Sequence, residues 1–290
     1  MDQAVEKLLR TLDLEAIEED LFRGISPDQS WQRVFGGQVI AQALVAAQRT
    51  MTPERPVHSL HCYFMWPGDP AVPIIYQVKR LRDGGSFSTR HVEAIQHGRI
   101  IFTLLASFQQ VEEGLEHQIE MPDVPGPEAL PPMSELSEAV LADAPEAIRR
   151  YWARPRPVEF RPVSLDQYQR WGKLPPIQHM WVRLIVPLEE CRHLHAAILA
   201  FISDMTLLDT ALFAHGLSVF DPRLQTASLD HAMWFHHPAM VDEWMLYTQD
   251  SPVSTGGRGL ARGSLFTRDG KLVASMAQEG LIRPRRNQSA

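Results

Sequence analysis

The residue in this sequence that is the clearest candidate for a catalytic role is Asp204. It lies within residues 191 to 215, a stretch without Gly or Pro that is rich in Ala and Leu, and this predicts a helix. Apolar residues occupy nearly every face from 196 to 202, so we expect the helix to be buried on all sides. Burial of a carboxylate is costly and raises its pKa, which favours a general base. The alternative is a structural carboxylate that faces a polar seam or caps a break in the helix.

Histidines form a second group that could carry chemistry. They are His193, His195, His231, His236 and His237, with Asp230 close to the last three. Imidazole and carboxylate groups bind zinc, so a metal-dependent hydrolase is one alternative. However, the sequence contains no HExxH pattern, and His193 and His195 point to different faces of the predicted helix. Polar residues that line a cleft or an interface are the better interpretation, and we expect no metal and no other cofactor.

Two sequence signatures of other enzyme classes are missing. Gly36-Gly37 precedes an apolar helical pattern but lacks the GxGxxG and Lys-Ser/Thr signatures of phosphate loops. The pair instead favours close approach of the backbone to a neighbouring group. The sequence also lacks a GxSxG elbow, so a hydrolase with a serine nucleophile is unsupported.

The composition excludes several classes of protein. The 290 residues are 44% hydrophobic and 22% charged, which is typical of one large globular domain or two ordinary ones. A net charge of −7 argues against nucleic acid as the main partner. The two cysteines, Cys62 and Cys191, form no CxxC pair, which favours free thiols in the core and a reducing compartment over a disulfide framework. Because no signal peptide and no apolar run of about 18 residues are evident, we expect a cytoplasmic protein without a membrane span.

The order of elements indicates two similar units. The first, residues 1–111, has a short helix within 3–22, a strand at 21–24 and an apolar helix at 34–47. Its strand-like runs are 57–66, 72–82, 87–97 and 99–110. A helix followed by an antiparallel meander is an α+β pattern, in contrast to a doubly wound one.

The second unit, residues 158–290, repeats this order after a linker. The linker, residues 112–157, is acidic and Pro-rich, with a helical piece near 134–151. Strands near 158–162 and 181–186 then precede the helix at 191–215. The later strand-like runs are 225–236, 243–253, 258–268 and 271–282.

When the sequences of the two units are aligned, Asp204 has no carboxylate counterpart in the first unit. Tyr76 falls on Tyr247 with an offset of 171 residues, whereas the Gly36-Gly37 pair falls on Ala196-Ala197 with an offset of 160. The helix offset places Leu44 where Asp204 lies in the second unit. A carboxylate needed only for folding should occur in both units, so its presence in one favours a functional role. We therefore expect the first unit to serve as wall and scaffold, with the two sheets paired edge to edge.

Eight motifs in the chain are distinctive in combination. They are Val34-Phe-Gly-Gly-Gln-Val-Ile-Ala-Gln-Ala-Leu, His58-Ser-Leu-His-Cys-Tyr-Phe, Pro67-Gly-Asp, Arg82-Asp-Gly, Ser86-Phe-Ser-Thr-Arg, Ser203-Asp-Met, Leu229-Asp-His-Ala-Met-Trp-Phe-His and Val273-Ala-Ser-Met-Ala-Gln-Glu-Gly. With these motifs the sequence resembles the acyl-CoA thioesterase II family, from about residue 20 to the end. The resemblance implies a double hot-dog fold, in which each of two units has a long helix wrapped by a curved antiparallel sheet.

The resemblance also implies an activity and a set of site residues. Members of the family hydrolyse fatty acyl-CoA thioesters with a water molecule, without a covalent intermediate or a metal. Carried over by motif, the residues that hold this water are Asp204, Ser228 and Gln278. The family is oligomeric, so we expect a homo-oligomer. The alternative is a hot-dog protein that binds acyl-CoA without hydrolysing it.

A Gly-rich basic segment is a candidate for contact with the CoA phosphates. Residues 256–263 carry Arg258 and Arg262 among four glycines. Guanidinium groups bind phosphate through paired hydrogen bonds, which makes these two arginines candidate substrate-binding residues. A flexible turn whose arginines pair with nearby acidic residues is an equally good interpretation.

Overall fold

The computed structural model describes residues 2–26, 33–132, 149, 155–169, 172–189 and 191–285. The helices are α1 (Gln3–Leu12), α2 (Gly36–Gln48), α3 (Asp166–Gln169), α4 (Arg192–Ser203) and α5 (Thr210–Phe213). Short 3₁₀ turns lie at Pro127–Ala129 and Leu207–Asp209. The strands are β1 (Glu15–Glu18), β2 (Leu21–Gly24), β3 (Val57–Phe64), β4 (Ile74–Asp83), β5 (Phe87–Gln96), β6 (Arg99–Gln109), β7 (Val158–Pro162), β8 (Ile177–Leu184), β9 (Leu224–Ser228), β10 (Asp230–Phe235), β11 (Met245–Thr255), β12 (Arg258–Thr267) and β13 (Leu272–Pro284).

The strands form one antiparallel sheet that contains both units. Its order is β1-β2-β4-β5-β6-β3-β10-β13-β12-β11-β8-β7, and β9 pairs with β13 beside this path. The units join where β3 pairs with β10, with Ala232 opposite His61. The prediction that the two sheets pair edge to edge is therefore confirmed, and the α+β pattern with it.

The helices α2 and α4 form the centre of the core and run antiparallel to each other. At one end, the Nε2 atom of Gln48 donates to the backbone oxygen of His193 at 3.1 Å. At the other end, the start of α2 lies against Phe201, close to the end of α4. Both helices are apolar on nearly all faces because they contact each other as well as the strands of one shared hydrophobic core.

The helix predicted over residues 191–215 is broken. Helix α4 ends at Ser203 with Asp204 as its C-cap residue. Thr206 then adopts a left-handed conformation with φ of 67°, which a continuous helix cannot accommodate. The structure also differs from the prediction at the run 225–236, which forms two strands, β9 and β10. They are separated at Leu229, which donates its N–H to the backbone oxygen of Glu279 and accepts from the N–H of Phe64.

In the part of the chain that the structure describes, one helical stretch, Arg192–Phe213, has the length and composition of a membrane span. We expected none, because polar residues interrupt the apolar ones. The most apolar window of this stretch is 67% buried inside the protein, which is typical of a core helix.

The linker is packed against the second unit where the structure describes it. Met121, Val124 and Leu130 cover a small cluster on the sheet that includes Trp181. The indole N–H of Trp181 donates to the backbone oxygen of Pro125 at 2.8 Å. The helical piece predicted near 134–151 lies outside the described residues apart from Arg149.

Candidate active site

The structure brings Asp204, Ser228 and Gln278 together from three elements of the second unit. Asp204 caps α4, Ser228 ends β9 and Gln278 lies within β13. The amide nitrogen of Gln278 donates to the hydroxyl oxygen of Ser228 at 2.8 Å. That hydroxyl lies 3.5 Å from the Oδ1 atom of Asp204 and donates to it. The pairing of Gly280 with Ser228 places the end of β9 beside the Gln278 segment of β13.

The environment of Asp204 gives it the proton affinity of a base. Burial raises the pKa of Asp204 from 3.8 to about 6. Hydrogen bonds from Gln278, the backbone N–H of Gly37 and Ser228 oppose this rise, and so does the positive charge of Arg33. Asp204 as a residue is half-buried, so it lies at the border of the core. At neutral pH the carboxylate is mostly ionised and can still accept a proton effectively.

The first unit contributes directly to this site through the start of α2. The backbone N–H of Gly37 donates to the Asp204 carboxylate. A Cβ atom on Gly36 would lie 2.7 Å from the Oδ2 atom of Asp204, so only glycine permits this close approach. The expectation of close backbone approach at Gly36-Gly37 is confirmed. That the first unit serves as wall and scaffold stays a prediction, and the structure adds that its helix α2 donates a backbone hydrogen bond to Asp204.

The structure also changes the correspondence between the two central helices. Helix α2 begins at Gly36 and α4 at Arg192, which is 156 residues later, in place of the 160 deduced from sequence. This offset places Gln48, and not Leu44, at the position of Asp204. Gln48 contacts the start of α4 as Asp204 contacts the start of α2. Asp204 therefore remains without a carboxylate counterpart in the first unit.

Behind the three residues lies a buried polar layer that the sequence did not reveal. The Nδ1 atom of His231 lies 2.6 Å from the side-chain oxygen of Gln278. The Nε2 atom of His231 lies 2.9 Å from the hydroxyl of Ser203. Tyr247 donates its hydroxyl to the backbone oxygen of Ser203 at 2.6 Å. His231, Gln278 and Ser203 are each no more than 1% exposed, so solvent does not satisfy them.

Both cysteines are free thiols, as expected, and one of them contacts the polar layer. Cys62 is buried, whereas the expectation of a core position is wrong for Cys191, which is exposed because it precedes the first turn of α4. The thiol of Cys62, on β3 of the first unit, lies 3.2 Å from the backbone oxygen of His231 and donates to it. Burial raises the pKa of Cys62 well above its usual value, so the thiol stays protonated.

The histidines do not form one cluster. His231 belongs to the buried layer, whereas the ring of His195 bonds the backbone of Val241 and Glu189. A small cleft of about 40 Å³ is lined by residues that include Arg192, His193, His236 and His237. It lies at the start of α4, roughly 18 Å along the helix from Asp204 at 1.5 Å per residue. Among the described residues, no three His, Cys, Asp or Glu side chains are grouped to hold a metal ion.

Arg258 and Arg262 are not brought to this cluster. In the β12–β13 pairing, Ala261 lies opposite Gln278 and shares its face of the sheet, so Arg262 and Arg258 occupy the other face. Arg258 pairs with Glu279 at 2.9 Å and Arg262 with Asp250 at 2.5 Å. Their contact with substrate stays a prediction.

Two central helices packed against one continuous antiparallel sheet define a protein of the double hot-dog class. A conserved protein with a hot-dog fold from Alicyclobacillus acidocaldarius superposes with a TM-score of 0.75 over 96% of this chain and 98% of its own, at 19% identity, and shows the fold alone. The crystal structure of the acyl-CoA thioesterase II TesB2 from Mycobacterium marinum has a TM-score of 0.78 and 41% identity over 97% of this chain and 99% of its own.

Sequence comparison gives the family. The profile described as acyl-CoA thioesterase matches residues 153–281, and the profile described as acyl-CoA thioesterase N-terminal domain matches residues 26–109. Human acyl-coenzyme A thioesterase 8 is 43% identical over 281 residues, which cover 94% of this chain and 87% of the human protein. The chain belongs to the acyl-CoA thioesterase family. The resemblance, the fold class and the thioester hydrolase class predicted from sequence are confirmed.

Proposed function

We propose that this protein hydrolyses fatty acyl-CoA thioesters with a water molecule that Asp204, Ser228 and Gln278 hold and activate. The observation that carries this proposal is the junction of the two units, where a carboxylate with a pKa of about 6 contacts a hydroxyl, an amide and a helix start. Family membership supports the substrate class. The geometry supports water, because the proton acceptor is a carboxylate assisted by two neutral hydrogen-bonding groups.

In the proposed reaction Asp204 is the base, and Ser228 and Gln278 position the reacting groups. Asp204 accepts a proton from water while the water oxygen bonds to the thioester carbon. Ser228 and Gln278 orient the water and hold the carboxylate in position. The carbon–sulfur bond then breaks, and the CoA thiolate recovers the proton, so that acyl-CoA and water give a fatty acid and CoA.

The start of α2 is the source of positive potential beside Asp204. Backbone N–H groups at a helix start attract negative charge because they lack partners within the helix. The N–H of Gly37 donates to the Asp204 carboxylate, so the positive end of α2 faces the place that the water would occupy. We assign stabilisation of the negative charge on the thioester oxygen to this end of α2.

The test of the proposed base is Asp204→Asn, with Asp209→Asn as its matched control. Asp209 lies one turn further along, and burial raises its pKa to about 7. Among the described residues it makes no hydrogen bond with Ser228 or Gln278. Release of free thiol from acyl-CoA should fall by about 10²- to 10⁴-fold in kcat for Asp204→Asn, with little change in KM.

Two results would decide against the proposed base. One is an Asp204→Asn protein that folds and keeps kcat within about threefold of the wild type, since a general base contributes far more. The other is an equal loss in Asp209→Asn, which would indicate a general effect of buried carboxylates. Acyl-CoA binding with no turnover in the wild type would favour the non-catalytic alternative.

We also propose that the protein is a homo-oligomer. Tyr63, Leu105 and Trp234 are 60%, 42% and 38% exposed and lie on one face of the sheet where the units join. Clustered apolar side chains on a surface are typical of protein interfaces. Light scattering during size-exclusion chromatography should give a mass above that of one chain, and Tyr63→Lys with Trp234→Lys should lower it. A monomer at every concentration would contradict the proposal.

A further inference from the structure

Gln278 must present its amide in one of two orientations, and His231 is the residue that distinguishes them. The Nδ1 atom of His231 lies 2.6 Å from the Oε1 atom of Gln278. The amide nitrogen of Gln278 faces Ser228 and lies 2.8 Å from its hydroxyl oxygen. Gln278 and His231 are both 1% exposed, so no solvent molecule is needed to complete these bonds.

The proton positions follow from the charge on Asp204. If Gln278 were rotated by 180°, its oxygen would face Ser228 and the Asp204 carboxylate, and two acceptors would oppose each other. The observed orientation places the amide N–H groups toward them instead. The Gln278 oxygen then needs a donor, which is a proton on Nδ1 of His231. The hydroxyl oxygen of Ser203 lies 2.9 Å from Nε2 of His231 and 2.8 Å from the backbone oxygen of Ala200. In this arrangement its single proton is donated to Nε2, which has no proton of its own, in place of the Ala200 oxygen.

We infer that His231 is a positioning residue of this site: its Nδ1–H fixes the amide of Gln278 so that the amide donates to Ser228 and Asp204. This inference rests on the proposed function of Asp204, Ser228 and Gln278. The resulting chain of donors runs from Ser203 through His231, Gln278 and Ser228 to the carboxylate. His231 acts through Gln278 and does not touch the reacting atoms.

The surroundings of His231 keep this arrangement unchanged over the working pH range. Burial lowers the pKa of His231 to about 4, so the ring is neutral and has one N–H to donate. The backbone of His231 is held across the unit boundary by the thiol of Cys62, at 3.2 Å from its oxygen. Tyr247 holds the backbone of Ser203, whose hydroxyl completes the ring's hydrogen bonds.

Two amide substitutions at position 231 separate positioning from a structural role. In His231→Asn the side-chain nitrogen lies near the former Nδ1 position and can still donate to Gln278. In His231→Gln the amide reaches the former Nε2 position, so the bond to Ser203 is kept and the bond to Gln278 is lost. Each variant therefore loses one buried hydrogen bond, and thermal unfolding should show similar losses of stability.

The expected kinetic results differ between the variants. His231→Asn should keep kcat within about threefold of the wild type, whereas His231→Gln should lose about 10- to 100-fold in kcat with KM unchanged, because the group that orients the water is misplaced. The acid limb of the kcat profile should also move to higher pH in His231→Gln, since Gln278 no longer stabilises the ionised Asp204. Equal kcat losses in both variants that follow the loss of stability would overturn the inference.

The variant Gln278→Ala distinguishes a failure of the positioning role of His231 from a failure of the proposed function. If Gln278→Ala keeps wild-type kcat, the assignment of Gln278 to the site fails. If Gln278→Ala loses activity and His231→Gln does not, only the positioning role fails. The wild-type protein gives an independent test by ¹⁵N NMR of labelled histidine, where His231 should carry its proton on Nδ1 and stay neutral at pH 5. A proton on Nε2 would contradict the inference.

Discussion

Replacement of Gly36 by Ala should damage catalysis more than stability. The added Cβ atom would lie 2.7 Å from the Oδ2 atom of Asp204 and 3.1 Å from the ring of Phe64, whereas ordinary contacts begin at 3.4 Å. The carboxylate must therefore move by roughly 0.7 Å, away from the N–H of Gly37. Misplacement of a reacting group by about 1 Å costs on the order of 10² in rate, so we expect kcat to fall by about 10- to 100-fold.

The expected loss of stability is small because two effects oppose each other. Overpacking costs typically ~1–3 kcal/mol, while Gly to Ala reduces the entropy of the unfolded chain by ~0.4–1 kcal/mol. Thiol release and thermal unfolding should be measured together, with Gly85→Ala as the control, since a Cβ atom there meets nothing within 4 Å. A folded Gly36→Ala protein with the kcat of Gly85→Ala would refute the placement of Asp204 against α2.

Three further predictions follow from the same contacts. First, kcat should fall as pH drops through about 6, because Asp204 must be ionised to accept a proton; the neighbouring Cys62 and Tyr247 stay protonated and His231 stays neutral there. Because burial raises the pKa of Asp204 from 3.8 to about 6, the fold loses stability as the pH rises from about 4 to about 6, and the loss is complete above that range. Asp204→Asn should therefore be more stable than the wild type at neutral pH, with an advantage that disappears by about pH 4; an advantage independent of pH would contradict this. Second, Leu44→Asp, at a position that is 0% exposed, should lower the free energy of unfolding by several kcal/mol without adding activity, and wild-type stability would refute the burial argument. Third, thiol release should survive exhaustive chelation, and a loss restored by zinc would favour a metal-dependent mechanism.

The sequence was sufficient for the fold class and for Asp204 because both depend on local patterns. An apolar stretch without Gly or Pro predicts a buried helix, and a single carboxylate within it is conspicuous. The break after Ser203 could not be read from this stretch, since residues 204–206 are compatible with a helix by propensity alone. The break is specified by the tertiary contact between Asp204 and the start of α2, which lies in the other unit.

The positioning role of His231 was hidden for a different reason. In sequence, His231 is one of several histidines and lies 47 residues from its partner Gln278. The two side chains meet because β10 and β13 pair with Ala232 opposite Ala277, and the sequence does not show that these two strands, which are not consecutive, are neighbours. Buried residues alternate with more exposed ones along β10, and this alternation places His231 on the inner face. A histidine at an inward-facing strand position was therefore the sequence feature that could have identified it.

The source of the oxygen atom in the product tests the role of Asp204 most directly. Excess enzyme should turn over acyl-CoA once in water labelled with ¹⁸O, followed by mass spectrometry of the fatty acid and of the peptide that contains Asp204. If Asp204 activates water, the fatty acid gains one ¹⁸O atom in this first turnover and the peptide gains none. An unlabelled fatty acid together with ¹⁸O in the Asp204 carboxylate would show that Asp204 attacks the thioester itself, and would contradict the water mechanism.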